Sequence, residues 1–225
     1  IKATVPKRLR VLSYVSLVML AVQIILGGLT VLKLLQSGVV AAHLGMGTAF
    51  FAAILWIFLE LKREASAERV QKIAAYVSGW TAFFLAAIYG QVLLGGLVAS
   101  NYAALACTDF PTCQGQWFPT LEGPIGFHMM HRYGAYTIAI LAILNVILLK
   151  NSAGFLRKHS RMVMGVVVIQ ICLGIANVLF YIPPVLAILH LAFAVKILFL
   201  AVRQFHFAYN SKGVESIGIR GLAAN

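Results

Sequence analysis

The stretch QVLLGG, residues 91–96, contains a pattern, Gln-x-x-Leu-Gly, that organises the whole chain. The same pattern occurs at residues 23–27 and again at residues 170–174. Each copy lies in an apolar run, and self-similarity of this kind indicates a repeated supersecondary unit. The glycines are typical of close packing between membrane helices, and the glutamines of hydrogen bonds across them. The chain is therefore predicted to contain three related units.

A histidine follows each copy of the pattern. His43 and His190 each come sixteen residues after the glycine of their copy, and His131 comes thirty-six residues after its own. The additional residues of the middle unit form a loop that contains Cys107 and Cys113. We predict that each unit is a hairpin of two helices, with the histidine on the second helix.

The composition indicates an all-α polytopic membrane protein. Of the 225 residues, 61% are hydrophobic and 11% are charged, and a span of about 20 apolar residues crosses the hydrocarbon as a helix. The six predicted spans are 11–32, 38–61, 73–99, 127–149, 161–181 and 185–203.

The net charge of +12 reflects topology, not binding to nucleic acid. Fifteen of the eighteen Lys and Arg fall on one side of the predicted spans, while Lys33 and Arg132 lie near the other side and Lys196 lies inside span six. The positive-inside rule then places both termini in the cytoplasm. The fifteen are Lys2, Lys7, Arg8, Arg10, Lys62, Arg63, Arg69, Lys72, Lys150, Arg157, Lys158, Arg161, Arg203, Lys212 and Arg220.

The three histidines are predicted to lie at one depth, about 8–10 Å below the outer ends of their helices at 1.5 Å per residue. One turn later each is followed by a small residue, Gly47, Ala135 or Ala194, which predicts a gap beside each imidazole. A single buried histidine is as often a core residue as a ligand, but three in matching positions favour a ligand role.

Haem is the group that these histidines fit best. Zinc or copper would require further ligands, a proton-coupled transporter would require membrane carboxylates, and no acidic residue is predicted deep in a span. We pair His131 with His190 as axial ligands of a haem b, held noncovalently because Cys-x-x-Cys-His is absent from the sequence. His43 is predicted to lack its partner, which we expect in a hairpin upstream of Ile1.

Hairpin order predicts one complete four-helix bundle plus half of a second, pseudo-symmetric one. The predicted units are 1–65, the second hairpin of an N-terminal bundle; 66–72, a cytoplasmic linker; 73–207, a haem b bundle with outer loop 100–126; and 208–225, a cytoplasmic tail.

The sequence allows more than one role for each of three polar residues. Arg132 either pairs with a haem propionate or extends to the interface. His128 binds a propionate, relays protons or caps its helix. Lys196 either extends to the cytoplasmic interface or has a function.

The cysteines also allow more than one interpretation. Cys107 and Cys113 face the oxidising side, which allows a disulfide or a pair that cycles during turnover. Cys172 is predicted to be an inert buried side chain.

Two non-enzymatic classes compete with a haem enzyme. A b-type cytochrome would carry electrons to or from a quinone or partner protein, but such carriers tend to place ligands near both faces. A transporter built on hairpin repeats is the other class, and these repeats keep one orientation instead of inverting.

The loop at residues 107–115, CTDFPTCQG, the pair His131-Arg132 and the repeated Leu-Gly-Gly helices together resemble the heme A synthase family. The resemblance covers residues 8–205. It implies eight spans in two pseudo-symmetric bundles, one for the substrate haem and one for a haem b held by His131 and His190. His43 would face the substrate haem.

The resemblance also implies a reaction and its setting. The C8 methyl of heme O would be oxidised to a formyl by successive hydroxylations, with water as the oxygen source and electrons leaving to an unidentified acceptor. A heme O donor enzyme would be a partner, and the sequence is compatible with a homo-oligomer. The catalytic residue is unknown: the family's substrate-bundle glutamate would lie upstream of Ile1, and the matching position here is His128. The expected location is a prokaryotic plasma membrane or a mitochondrial inner membrane, with the cysteine loop outside.

Overall fold

Six long helices make up the fold. The computed structural model describes residues 6–66 and 73–211, and no strand occurs within these ranges. A short 3₁₀ helix, Ala103–Leu105, lies in the outer loop. All six long helices have the length and the hydropathy, with means of 1.7 to 2.6, to cross a membrane. The predicted all-α polytopic class is confirmed. The helices are α1 (Lys7–Leu32), α2 (Ser37–Ser66), α3 (Ala75–Ser100), α4 (Gly123–Leu149), α5 (Gly154–Leu179) and α6 (Pro184–Asn210).

Four helices, α1, α2, α5 and α6, extend beyond the predicted spans on the side rich in Lys and Arg, and α5 and α6 extend furthest. Helix α5 begins at Gly154 instead of residue 161, and α6 ends at Asn210 instead of residue 203. Hydropathy marks where lipid ends, whereas a helix continues into water as long as its backbone bonds are kept. Most of the predicted linker and tail, residues 67–72 and 212–225, lies outside the described residues.

Helices α3 to α6 pack in a closed ring: α3 contacts α4 and α6, and α5 contacts the same two helices. The core inside this ring includes Phe84, Ile138, Val163 and Leu198. Helix α2 packs against α3 and α6, and α1 packs along α2. The division into the units 1–65 and 73–207 stays a prediction.

The two short hairpins turn in the same way. Leu34 and Leu35 have positive φ values of 49° and 60°, and Tyr181 and Ile182 have values of 57° and 58°. Leu34 and Leu35 donate to carbonyls three and five residues back, as do Tyr181 and Ile182, which is the Schellman ending of a helix. Tyr102, at the same distance from its repeat glycine, also has positive φ, 53°. Tyr102 also donates to the carbonyl three residues back, so the long hairpin begins with the first part of this turn and its loop follows.

A buried carboxylate joins the α1–α2 hairpin to α6. Glu60 is 2% exposed and lies 2.7 Å from Arg63 and 3.5 Å from Arg8. Its second oxygen accepts from His206 at 2.8 Å and from Asn210 at 3.3 Å. Glu60 lies one residue before the end of the predicted span 38–61, so the prediction that no acidic residue lies deep in a span is not contradicted. Partners on three helices make burial of its charge tolerable.

An amide pair joins α3, α4 and α6 inside the ring. Asn145 and Gln204, both nearly inaccessible, exchange two hydrogen bonds of 2.8 and 3.3 Å. The Trp80 indole donates to the same Asn145 oxygen at 2.9 Å. Polar side chains that satisfy one another in this way hold membrane helices together.

Candidate haem site

Each repeat places its histidine ring directly against the glycine of the preceding helix. A Cβ added to any of these glycines would lie 3.1 Å from Cε1 of the imidazole. A side chain at this position would displace the imidazole. This contact explains why the pattern contains glycine more specifically than close helix packing does. The pairs are Gly27 with His43, Gly95 with His131, and Gly174 with His190.

The rings of His131 and His190 approach each other from facing helices α4 and α6. Their centres are 6.5 Å apart and their planes make an angle of 72°. Two imidazoles on opposite sides of one metal ion, with bonds of about 2.0–2.1 Å, have ring centres about 6.3 Å apart. The angle of 72° between the ring planes is compatible with this arrangement, because each imidazole can rotate about its own metal–nitrogen bond without changing the distance between the ring centres. The spacing thus matches what two axial ligands of one haem iron require.

The other ligand requirements point the same way. Within residues 6–66 and 73–211, no group of three or more His, Cys, Asp or Glu side chains is placed to hold a metal ion. The site offers two imidazoles without a further ligand shell, which suits an iron whose equatorial ligands come from a porphyrin.

His43 lies six residues into α2, as His190 lies six residues into α6, while His131 lies eight residues into α4. The gap predicted beside His43 is filled, because a Cβ at Gly47 would lie 2.8 Å from Nε2 of Gln23. The same Nε2 lies 3.4 Å from Nε2 of His43. Among the described residues, no second histidine ring contacts His43.

A contact path nevertheless connects His43 to the His131 site. Leu44, the next residue, packs so closely on Gly96 that a Cβ there would be 2.6 Å from Cδ2 of Leu44. Gly96 in turn follows Gly95, on which His131 packs. A single contact between α2 and α3, that of Leu44 with Gly96, therefore links the neighbours of His43 and His131.

Arg132 holds the outer loop. Its two terminal nitrogens donate to the carbonyls of Thr112 at 2.7 Å and of Cys107 at 2.8 Å, and its guanidinium lies 5.8 Å from the ring centre of Phe110. These contacts occupy the groups that would pair with a propionate. Binding of a propionate by Arg132 stays a prediction, whereas its hydrogen bonds to the loop were not predicted from the sequence.

His128 and Lys196 have different environments. His128 is 4% exposed, and its Nδ1 lies 2.9 Å from the carbonyl oxygen of Ala103. It therefore contacts the loop from inside the protein. Lys196 is exposed near the middle of α6, with Nζ 5.4 Å from the ring centre of Phe193.

The outer loop is closed by a disulfide between Cys107 and Cys113, both fully buried. Inside it, Asp109 accepts from the hydroxyl of Thr112 at 2.6 Å and from the N–H groups of Gln114 and Gly115 at 2.9 and 3.1 Å. These bonds, the one from Thr112 foremost, hold the pKa of Asp109 well below its ordinary value. The prediction that Cys172 is buried is wrong, because its side chain is exposed.

Comparison with known proteins gives one family. The chain is 31% identical to the heme A synthase of Shewanella oneidensis over 85% of its length and 64% of that protein. It is 30% identical to the heme A synthase of Caulobacter vibrioides over 71% of its length and 50% of that protein. It is 31% identical to the heme A synthase of Paracoccus denitrificans over 75% of its length and 48% of that protein. The chain thus spans between about half and two thirds of these relatives.

The sequence model of one family covers almost the whole chain. It is described as cytochrome oxidase assembly protein, COX15-CtaA, and it matches residues 1–202. The match includes all three hairpins and the disulfide loop. The chain therefore belongs to the COX15-CtaA family of cytochrome oxidase assembly proteins.

Proposed function

We propose that this chain is the haem-binding part of a heme A synthase, an oxidoreductase that converts the C8 methyl of heme O to a formyl. The observation that carries the proposal is the 6.5 Å separation of the His131 and His190 ring centres. The relatives that share between half and two thirds of their length with the chain are heme A synthases. Both lines of support point to haem chemistry in a membrane.

In this proposal His131 and His190 hold a haem b between α4 and α6. Gly95 and Gly174 let Cε1 of each ring come close to the preceding helix, which restricts the direction of each imidazole. When bound, the haem supplies one-electron transfer at a potential that ligation and burial set.

The proposed reaction consumes one water for each methyl group converted to a formyl, and it releases four electrons and four protons. Successive hydroxylation gives first the alcohol and then the hydrated aldehyde. His43 would face the substrate haem, and the Leu44–Gly96 contact keeps it next to the haem b site. The electrons leave to an acceptor in the membrane, a quinone or a partner protein. The catalytic carboxylate lies outside the residues that we assign.

We further propose that both termini lie in the cytoplasm, or on the matrix side, and that the disulfide loop faces outward. The excess of Lys and Arg on one side of the helices supports this orientation. An enzyme that delivers heme O would then meet the protein in or at the bilayer.

The test is to purify the complete protein, record its reduced-minus-oxidised spectrum and identify extracted haems by chromatography. Haem b together with heme O, heme A or the alcohol supports the synthase. Haem b alone favours a b-type electron carrier. Absence of haem contradicts both functions.

A further inference from the structure

The glutamine of each repeat stands one helical turn before the glycine that seats the histidine ring, on the same face of the helix. In all three repeats the amide oxygen of this glutamine is buried and accepts no hydrogen bond. Buried acceptors without a partner are rare, and three in equivalent positions indicate a common purpose. The three residues are Gln23, Gln91 and Gln170.

Gln91 shows the relation to the histidine most directly. Its Nε2 lies 3.0 Å from Nδ1 of His131 and donates to the His131 carbonyl at 2.9 Å. Its oxygen, the atom without a partner, packs against Gly134. The amide therefore lies within reach of the ring nitrogen that would not bind iron.

In the other two repeats an imidazole nitrogen also lacks a hydrogen-bond partner. Nδ1 of His43 and Nδ1 of His190 are buried and make no hydrogen bond. In the first repeat Nε2 of Gln23 lies 3.4 Å from Nε2 of His43, the other ring nitrogen. Each of these repeats thus holds an unpaired imidazole nitrogen and an unpaired amide oxygen.

Iron binding through Nε2 changes what Nδ1 requires. A neutral imidazole that gives its Nε2 lone pair to a metal carries its proton on Nδ1, and this N–H needs an acceptor. Gln91 now presents its nitrogen to Nδ1. A half-turn of the amide, with a small shift away from the His131 carbonyl that the nitrogen now contacts at 2.9 Å, brings the oxygen to Nδ1. The carbonyl keeps the donor that its own helix supplies.

The geometry points to Gln91 as a positioning residue whose amide oxygen accepts the Nδ1 proton of His131 and directs Nε2 toward the iron. Gln23 and Gln170 occupy the equivalent sequence positions, four residues before Gly27 and Gly174. This inference rests on the proposed haem b site, and it adds residues that set ring orientation and ligand basicity. The amide touches the ligand, and not the iron.

The test compares Gln91→Met, which removes the acceptor at similar length, with Gln91→Glu, which keeps oxygen acceptors. Gln36→Met, at an exposed position in the α1–α2 turn, is the matched control. For each purified full-length protein, haem b affinity, its midpoint potential and its low-spin electron paramagnetic resonance signal are measured. Loss of a hydrogen-bond acceptor for a metal-binding histidine typically weakens metal binding about 10- to 100-fold.

We expect Gln91→Met to weaken haem b binding by that factor and to raise the midpoint potential, because a less basic imidazole stabilises ferric iron less. Gln91→Glu should restore binding and lower the potential, and Gln36→Met should match the wild type. Wild-type affinity and potential in Gln91→Met, or equal shifts in Met and Glu, would overturn the inference while leaving the haem site intact. Absence of haem b from the wild type would instead refute the proposed function, and the inference with it.

Discussion

The Cε1 atom of His131 lies 3.1 Å from the point that a Cβ on Gly95 would occupy. This distance is shorter than an ordinary contact between carbon atoms of about 3.5–4.0 Å. The imidazole can occupy this position only because Gly95 has no side chain. Because the same contact recurs in the other two hairpins, the glycines and histidines form one structural device used three times.

Replacing Gly95 by alanine should disturb this device. The added methyl forces the imidazole to move by a few tenths of an ångström, and overpacking of this kind costs about 1–3 kcal/mol, or roughly 5- to 160-fold in haem b affinity. Haem titration of the purified variant measures the effect. Gly90→Ala, on the same helix with open space at its Cβ, is the control. Equal affinities for the two variants would show that the glycine does not seat the ring.

Arg132→Lys should loosen the outer loop. Lysine cannot donate to the Thr112 and Cys107 carbonyls together as the guanidinium does. Hydrogen exchange of the loop amides should therefore quicken several-fold while haem b content stays close to that of the wild type. If haem b is lost and loop exchange is unchanged, Arg132 serves a propionate instead.

The Asp109 network should make the loop sensitive to acid. Because its pKa is lowered in the folded protein, the carboxylate stabilises the loop above its unfolded pKa of about 3.9, and this stability is lost as pH falls toward the lower folded value. Exchange of the Gln114 and Gly115 amides, corrected for intrinsic rates, should be constant from about pH 8 to 5. Asp109→Asn should show fast exchange at all these pH values. Equal protection in the variant would exclude this role.

Asn145→Ala should destabilise the ring of helices. It leaves the Trp80 N–H and the Gln204 amide buried without their partner, which costs about 1–3 kcal/mol. Unfolding in detergent, followed by circular dichroism, measures the loss. The double variant Asn145→Leu, Gln204→Leu should lose less than the sum of its single changes, because it strands fewer polar groups. Additive losses would indicate packing alone.

The repeat made most of this architecture predictable from sequence. Hydropathy located six helices, and the spacing of His43, His131 and His190 from their glycines placed each histidine on a second helix. The resemblance also anticipated the Cys107–Cys113 loop, and its disulfide, one of two predicted alternatives, is present. Patterns of this kind depend on residues close in sequence, which a single chain displays directly.

Contacts between distant residues were not predictable in this way. Arg132 bonds to main-chain carbonyls, whose directions depend on how the loop folds and leave no mark in residue types. Glu60 pairs with His206, which lies 146 residues away. Arg63, three residues after Glu60 and 2.7 Å from it, was the one local sign that this carboxylate would be neutralised.

The most direct test of the haem site is the low-spin haem b spectrum of the full-length protein and of its His131→Ala and His190→Ala variants. The wild type should show a bis-histidine low-spin signal, and each variant should lose it. Gly90→Ala, which alters the same region without touching a ring, should keep it. A wild-type spectrum that survives both histidine changes would show that these two rings do not hold the iron.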